Sequence, residues 1–205
     1  MSIILLRHGE TEWSRSGQHT GTTDLPLTAR GEGQARALAP VLAARAAALV
    51  LTSPRRRARR TAALAGLTAE RAGRRPEVRV DEDLAEWDYG AYEGRTTAAI
   101  SAELGRSWSV WTDGVLPGDT PGETLEALAA RSRAVLERAV AAERESGDDV
   151  ALVGHGHALR VLTACWLGLD PAAGALFVLA AGSWAELGHE HGRPALLRWS
   201  VPAPG

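Results

Sequence analysis

The sequence predicts an α/β domain built on a mostly parallel sheet. Three observations carry that expectation: short apolar runs recur along the chain, none of them alternates polar with apolar residues, and helical patterns separate them. Ile3 to Leu6 reads as the first buried strand. Thr28 suits the N-cap of a helix whose stripe is Ala35, Leu38, Val41 and Leu42. Ala47 to Leu51 is the second strand, and Ser53-Pro54 reads as an N-cap and first position of a helix carrying the arginine run Arg55 to Arg60. From 81 to 121 no period dominates, and Trp87, Trp108 and Trp111 stand among Gly, Asp and Glu. That stretch reads as a lid-like insertion with one short helix around Ala98 to Leu104. A longer helix follows Pro121-Gly122, with Leu125, Leu128, Val135, Leu136 and Val140 on its apolar face. Val150 to Val153 is the third strand, and Ala158 to Leu167 a helix directly after it. Leu176 to Val201 adds one or two edge strands.

Composition narrows the class of function. The chain has 205 residues, 45% hydrophobic and 23% charged, which fits a single soluble globular domain over 1–205 and excludes disordered or fibrous structure. A net charge of -2 gives no global attraction to nucleic acid or to acidic membranes. All 23 basic residues are Arg, so the Arg55 to Arg60 run is a weak sign of a nucleic-acid stripe. A lone Cys165, on an apolar helix face, excludes a disulfide framework and reads as core. Ile3 to Leu6 is too short for a signal-peptide core, and Val161 to Ala185 is broken by Asp170-Pro171 and by glycines. A cytoplasmic protein with no membrane partner is expected.

Two predicted strands end alike, in Arg7-His8-Gly9 and in Gly154-His155-Gly156. Ligands of open α/β sheets bind outside the carboxyl ends of strands, so two such ends hold two imidazoles over one crevice. A glycine after each histidine permits close backbone approach and leaves an amide for an anion. The helix starting at Ser53-Pro54 would turn its N-terminus to the same crevice, with an arginine near its start leaning over the edge.

These residues extend into longer blocks: Arg7-His8-Gly9-Glu10-Thr11, Gly21-Thr22-Thr23-Asp24-Leu25-Pro26-Leu27-Thr28, Thr52-Ser53-Pro54 with Arg57-Ala58 and Thr61-Ala62, Leu84 and Glu86 with Gly90 and Glu93-Gly94, and Gly154-His155-Gly156. In this order and spacing they resemble the histidine phosphatase (phosphoglycerate mutase-like) superfamily. The segments Thr11-Glu12-Trp13-Ser14, Glu86-Trp87, Tyr89-Gly90, Tyr92-Glu93-Gly94 and His155-Gly156-His157-Ala158-Leu159-Arg160 are similar to its sedoheptulose-1,7-bisphosphatase and acid phosphatase branch. The resemblance implies a three-layer αβα sandwich with a mostly parallel sheet. It implies His8 as nucleophile, Arg7, Arg57 and His155 around the phosphoryl oxygens, and Glu86 as general acid and then base, its carboxyl raised in a pocket walled by Trp87 and Tyr89. No metal and no cofactor is needed, because arginines supply the charge. Substrate contacts are expected from Ser14, Thr20, Gly21, Tyr89, Gly156 and His157. Ser14 stands where many relatives carry Asn, and is shorter with a single donor. Arg160 either reaches a second phosphate or lies on the helix surface.

The expected activity is hydrolysis of a small phosphorylated metabolite, a sugar phosphate or bisphosphate. Two alternatives stand beside it, a phosphoglycerate mutase-type transfer and a non-catalytic phospho-ligand module. Mutases of this family carry Lys and paired Arg in a longer middle insertion, and this chain has neither between Glu93 and Pro121. His189 and His191, which with His155 and His157 could be read as a metal set, are expected on the surface or in a hairpin, His191 being also a minor candidate for substrate contact. Asp83, Asp88 and Glu93 are expected on a solvated loop, and Trp13, Trp87, Trp108 and Trp111 to pack first and wall the substrate second. The sequence gives no sign of oligomeric state.

Overall fold

The computed structural model describes residues 2–45, 47–70 and 75–203. Its strands are β1 (Ile3–Arg7), β2 (Ala47–Thr52), β3 (Glu77–Val80), β4 (Asp149–Gly154), β5 (Ser183–Glu190) and β6 (Arg193–Pro202). They form one sheet in the order β3-β2-β4-β1-β5-β6, parallel through the first four and antiparallel at the last two. The helices are α1 (Glu12–Ser16), α2 (Ala29–Ala37), α3 (Ala39–Ala43), α4 (Arg56–Leu64), α5 (Thr97–Leu104), α6 (Val110–Asp113), α7 (Leu125–Ser146) and α8 (Gly156–Trp166).

Alternate residues of each central strand enter different cores. Ile3, Leu5, Val150 and Leu152 pack with Val135 and Ala139 of α7 and Leu159 and Leu162 of α8. Ile4, Leu6, Val50 and Val153 pack with Leu38 and Leu42 and with Ala58 and Ala62 of α4. Burial on both faces is why the strands read as continuous apolar runs, and it makes the three layers the sequence predicts. A third cluster joins Trp87, Tyr89, Tyr92, Ile100, Trp108 and Val110 to Leu128 of α7 and Val161 of α8. The segment between β3 and α7 therefore has its own apolar footing against the two helices. No helix among the described residues is long and apolar enough to cross a membrane.

Several elements depart from expectation, each for a local reason. The helix predicted from Thr28 through Leu42 is two, because Pro40 lies in the first turn of α3 and has no N–H to continue the ladder. Helix α4 begins at Arg56 with Arg55 as its N-cap, not at Ser53-Pro54. The Ser53 hydroxyl is held by His155 at 2.7 Å, and Asp24 accepts from the Arg56 amide at 2.9 Å in its place. Helix α8 starts at Gly156, two residues before the expected Ala158, because a distant carboxylate, Glu86, accepts from its first amides. Strand β3 and helices α1 and α6 were not expected: all are short, and β3 is exposed throughout. Cys165 is half-buried between two clusters rather than sealed in one.

At the amino end of the sheet lies a charged knot. Glu186, 4% exposed, accepts from Arg45 at 2.7 and 2.9 Å, from the Ser2 hydroxyl at 2.9 Å, and from Arg198. Both guanidiniums lie within 6 Å of the Trp184 ring centroid, at 5.9 and 5.8 Å. Burial works to raise the Glu186 pKa, but the hydrogen bonds from Arg45, Ser2 and Arg198 prevail and lower it. A carboxyl depressed in the folded state stabilises the fold above its unfolded pKa, and that contribution is lost as pH falls through the folded value. Glu186→Gln should therefore cost about 2 kcal/mol at pH 7, less than a fully sealed pair because Arg198 is half exposed. Urea unfolding of wild type and variant, run from pH 7 downward, should show the gap closing below the ordinary carboxylate range; a gap constant with pH removes the ionic argument.

Candidate active site

Strands β1 and β4 are parallel neighbours with Arg7 level with Gly154, so the next residues, His8 and His155, leave the sheet side by side. The His8 amide donates to the Gly154 carbonyl at 3.0 Å, and the two ring centroids lie 5.1 Å apart. The His8 Nδ1 lies 2.7 Å from the Gly9 carbonyl. A carbonyl only accepts, so Nδ1 carries the hydrogen and Nε2 keeps its lone pair. Burial, then Arg57 and Arg7, hold the His8 pKa well below the usual histidine range, so the ring is neutral at neutral pH. His155 is the opposite tautomer: its Nδ1 accepts from Arg57 Nε at 3.2 Å, so its Nε2–H donates to Ser53. Burial first, and Arg57 next, lower its pKa well below the ordinary value too.

The two arginines are held by backbone oxygens. Arg57, fully buried at the start of α4, donates to the carbonyls of Thr20, Gly21 and Thr23 at 2.8 to 3.3 Å. Arg7 donates to the Leu179 carbonyl at 2.5 Å, while its Nε is sealed from solvent with no partner. Arg7 also lines the cavity over this region, so a positive charge stands there beside a neutral imidazole, an arrangement suited to an anion. Glu86 faces it. Its Oε1 accepts from the amides of Trp87 and Ala158 at 3.0 and 2.8 Å, and its Oε2 from His157 at 3.1 Å. Arg131 of α7 grips the backbone on either side, donating to the carbonyls of Asp83, Ala85 and Glu86.

A cavity of about 160 Å³ opens over these groups, lined by Arg7, His8, Glu86, Tyr89, Gly156, His157 and Arg160. Ser14 and Thr20 also line it, with Gly17, Gln18 and His19 between. Arg57 and His155 stand behind this wall, fully buried. Ser14 borders the space, but its hydroxyl closes a capping box with Thr11. Gly21 is not in the wall: its amide donates to Glu93 at 2.9 and 3.0 Å, and a Cβ there would lie 2.3 Å from the Trp87 carbonyl. Glu93, expected on a solvated loop, thus clamps the turn that binds Arg57, accepting from Thr23 as well. Asp88 is likewise employed, capping the Gly90 amide at 3.0 Å. Gly9 packs with its missing Cβ 2.2 Å from the Gly31 carbonyl, and its amide donates to Thr61. It is therefore not free for an anion as the sequence suggested. Gly156 does face the site, where a Cβ would press on the Arg7 guanidinium at 3.2 Å.

Arg160 leaves the helix surface for the cavity wall. It donates to the Gly174 and Ala175 carbonyls at 2.8 Å each and lies over Trp111 at 4.7 Å. Tyr89 and His157 are joined by a 2.6 Å hydrogen bond. His19, which sequence reasoning missed, packs 4.7 Å from Tyr89 and has its pKa lowered to about 4 by burial. Glu93, Arg131 and His19 had no signal beyond their blocks, since their partners lie about fifty to seventy positions away or act through packing. His189 and His191 do not line the cavity; His191 is exposed in the β5–β6 turn.

The chain is similar to known proteins over most of its length. The family model described as Histidine phosphatase superfamily (branch 1) matches residues 3–202. An acid phosphatase of Mycobacterium tuberculosis is 40% identical over 93% of this chain and 87% of its own. The sedoheptulose 1,7-bisphosphatase of Saccharomyces cerevisiae is 40% identical over 81% of this chain and 67% of its own. A solved structure of an open reading frame product from Mycobacterium tuberculosis superposes with a TM-score of 0.85 at 36% identity, covering 99% of this chain and 98% of that one.

The ring environments give a spectroscopic expectation. In a ¹⁵N imidazole titration, His8, His155 and His157 should stay neutral well below pH 6.5 and His19 should protonate near 4. His8 should report the Nδ1–H form and His155 the Nε2–H form. A His8 midpoint at or above 6.5 would contradict the geometry.

Proposed function

The chain belongs to the histidine phosphatase superfamily (branch 1), and from that premise we propose that it hydrolyses small phosphate monoesters, sugar phosphates or bisphosphates, through a phosphohistidine on His8. One observation carries the reading: the neutral His8 ring, fixed by its Nδ1–H bond to Gly9, keeps a free Nε2 lone pair and lines a cavity that Arg7 lines as well.

The steps follow from that placement. Nε2 attacks phosphorus in line, the bond to the ester oxygen breaks, and Glu86 gives its proton to the departing oxygen. Negative charge on the equatorial oxygens meets Arg7, with the Arg57 charge behind His8 adding field from the buried side and the neutral His155 holding Arg57 there. Water then attacks phosphorus, the phosphorus–nitrogen bond breaks, Glu86 takes the water's proton, and phosphate departs. Arginines supply the positive charge, so the reaction is read as independent of metal. Arg160, which also lines the cavity, suits a second anionic group of a bisphosphate. A mutase is disfavoured by the middle segment, whose Arg95 and Arg106 are tied to Glu103 and Asp113 on the surface.

Phosphate release from a panel of sugar mono- and bisphosphates should persist in EDTA, vanish in His8→Ala and fall about 100-fold or more in Arg7→Ala. Interconversion of 2- and 3-phosphoglycerate faster than phosphate release would replace hydrolysis with transfer.

A further inference from the structure

Part of the cavity lining is made of rings, those of His19, Tyr89 and His157, and one hydrogen bond among them decides what they can recognise. Tyr89 is buried, and burial, then the charge of Glu86, holds its hydroxyl protonated far above neutral pH. Its oxygen lies 2.6 Å from His157 Nδ1. His157 is also held neutral, by burial first and by Arg160 next. A neutral imidazole offers one donor and one acceptor. A phenol is the stronger donor of the two and an imidazole nitrogen the stronger acceptor, so the phenol donates to Nδ1 and the hydrogen of His157 is left on Nε2. That nitrogen bonds no described residue, and it is not among the sealed unpartnered atoms, which are Arg7 Nε, Arg55 Nε and Trp184 Nε1. It therefore opens on the cavity that the His157 ring borders.

We infer that Tyr89 is a positioning residue that locks His157 as an Nε2–H donor, and that this donor selects substrates whose departing group carries a hydroxyl or ring oxygen beside the ester. The inference rests on the phosphatase reading. The geometry around the pair supports a lock rather than a loose contact. The His157 ring is 5.1 Å from Trp111 and 6.0 Å from His19, and its own amide is tied to Glu86. The Tyr89 ring is backed by His19 at 4.7 Å and by Trp87 at 6.5 Å. A donor fixed in this way discriminates by leaving itself unpaired when the ligand offers no acceptor, the mechanism by which polar sites reject analogues most strongly. It shares the cavity with Arg7 and Arg160, so a ligand held by either cation comes within the same space as the donor.

The test compares kcat and KM for para-nitrophenyl phosphate, whose departing group has no hydroxyl, with those for the sugar phosphate that wild type cleaves fastest. Tyr89→Phe and His157→Ala should lower the sugar-to-aryl ratio of kcat/KM about tenfold, chiefly through KM for the sugar ester. His157→Gln, whose amide N–H reaches the Nε2 position without Tyr89, should restore the ratio, and adding Tyr89→Phe to it should lower it no further. Equal losses on both substrates, or no rescue by Gln, would overturn the lock, as would a wild type that cleaves only the aryl ester. A wild type that releases phosphate from neither substrate overturns the phosphatase reading itself, and His8→Ala abolishing aryl hydrolysis secures that reading independently of the lock.

Discussion

A guanidinium buried without a carboxylate against it sets terms for the rest of the structure. Arg57 is fully enclosed and forms no ion pair among the described residues. Removing such a charge from water costs several kcal/mol unless other dipoles replace the lost hydration. Here the replacement is backbone: three carbonyls between Thr20 and Thr23 and the Nδ1 of His155. Carbonyls aimed inward leave amides aimed elsewhere, and those of Gly21 and Thr23 are taken by Glu93. The turn, its carboxylate clamp and the tautomer of the second histidine are thus consequences of one buried cation. Carbonyl dipoles satisfy donors without cancelling net charge, so the site keeps its affinity for a dianion.

The sheet supplies the second constraint. Parallel pairing of β1 with β4 puts their final residues level, and burial of both faces prevents a one-residue slip, which would turn Ile3 and Leu5 into the wrong core. His8 and His155 consequently emerge together at the carboxyl ends of adjacent strands. The cations behind His8 disfavour its charged form before reaction, which keeps the Nε2 lone pair available. In the proposed reaction the ring would gain charge on taking a phosphoryl group at Nε2, and the Nδ1–H bond to Gly9 that fixes the neutral ring would become charge-assisted.

What could be read from the sequence was what depends on local pattern. Apolar runs gave β1, β2 and β4, and their His-Gly endings gave the location of the cavity, because strand ends are local and sheet layering follows from burial. The boundaries that failed are those set by distant partners. Ser53 looks like an N-cap, yet its hydroxyl goes to His155, and the Arg56 amide finds Asp24 from another loop. Helix α8 looks uncapped until Glu86, seventy positions away, meets its amides. Glu93 resembles a solvated loop acid because its two amide partners lie in a different block. His19 gave no signal, since its role comes from packing against Tyr89 and Trp108. Strand β3 is an exposed edge of four residues, too short for a period to declare itself.

The middle segment settles how charge and shape are divided around the cavity. Its arginines, Arg95 and Arg106, are turned to the surface and paired there, so it brings no cation to the substrate. Its aromatic residues instead build a third core against α7 and α8, and that core backs Tyr89 and, through Trp111, the rings around His157. The far cation comes from α8 itself, with Arg160 aligned by Trp111 and by two carbonyls. Charge is therefore carried by elements rooted in the sheet layers, and selectivity by rings that rest on them. A change in the aromatic core would move the rings and, through Trp111, Arg160, while leaving Arg7 and Arg57 in place, so under the proposed reading specificity could vary over an unaltered phosphoryl site.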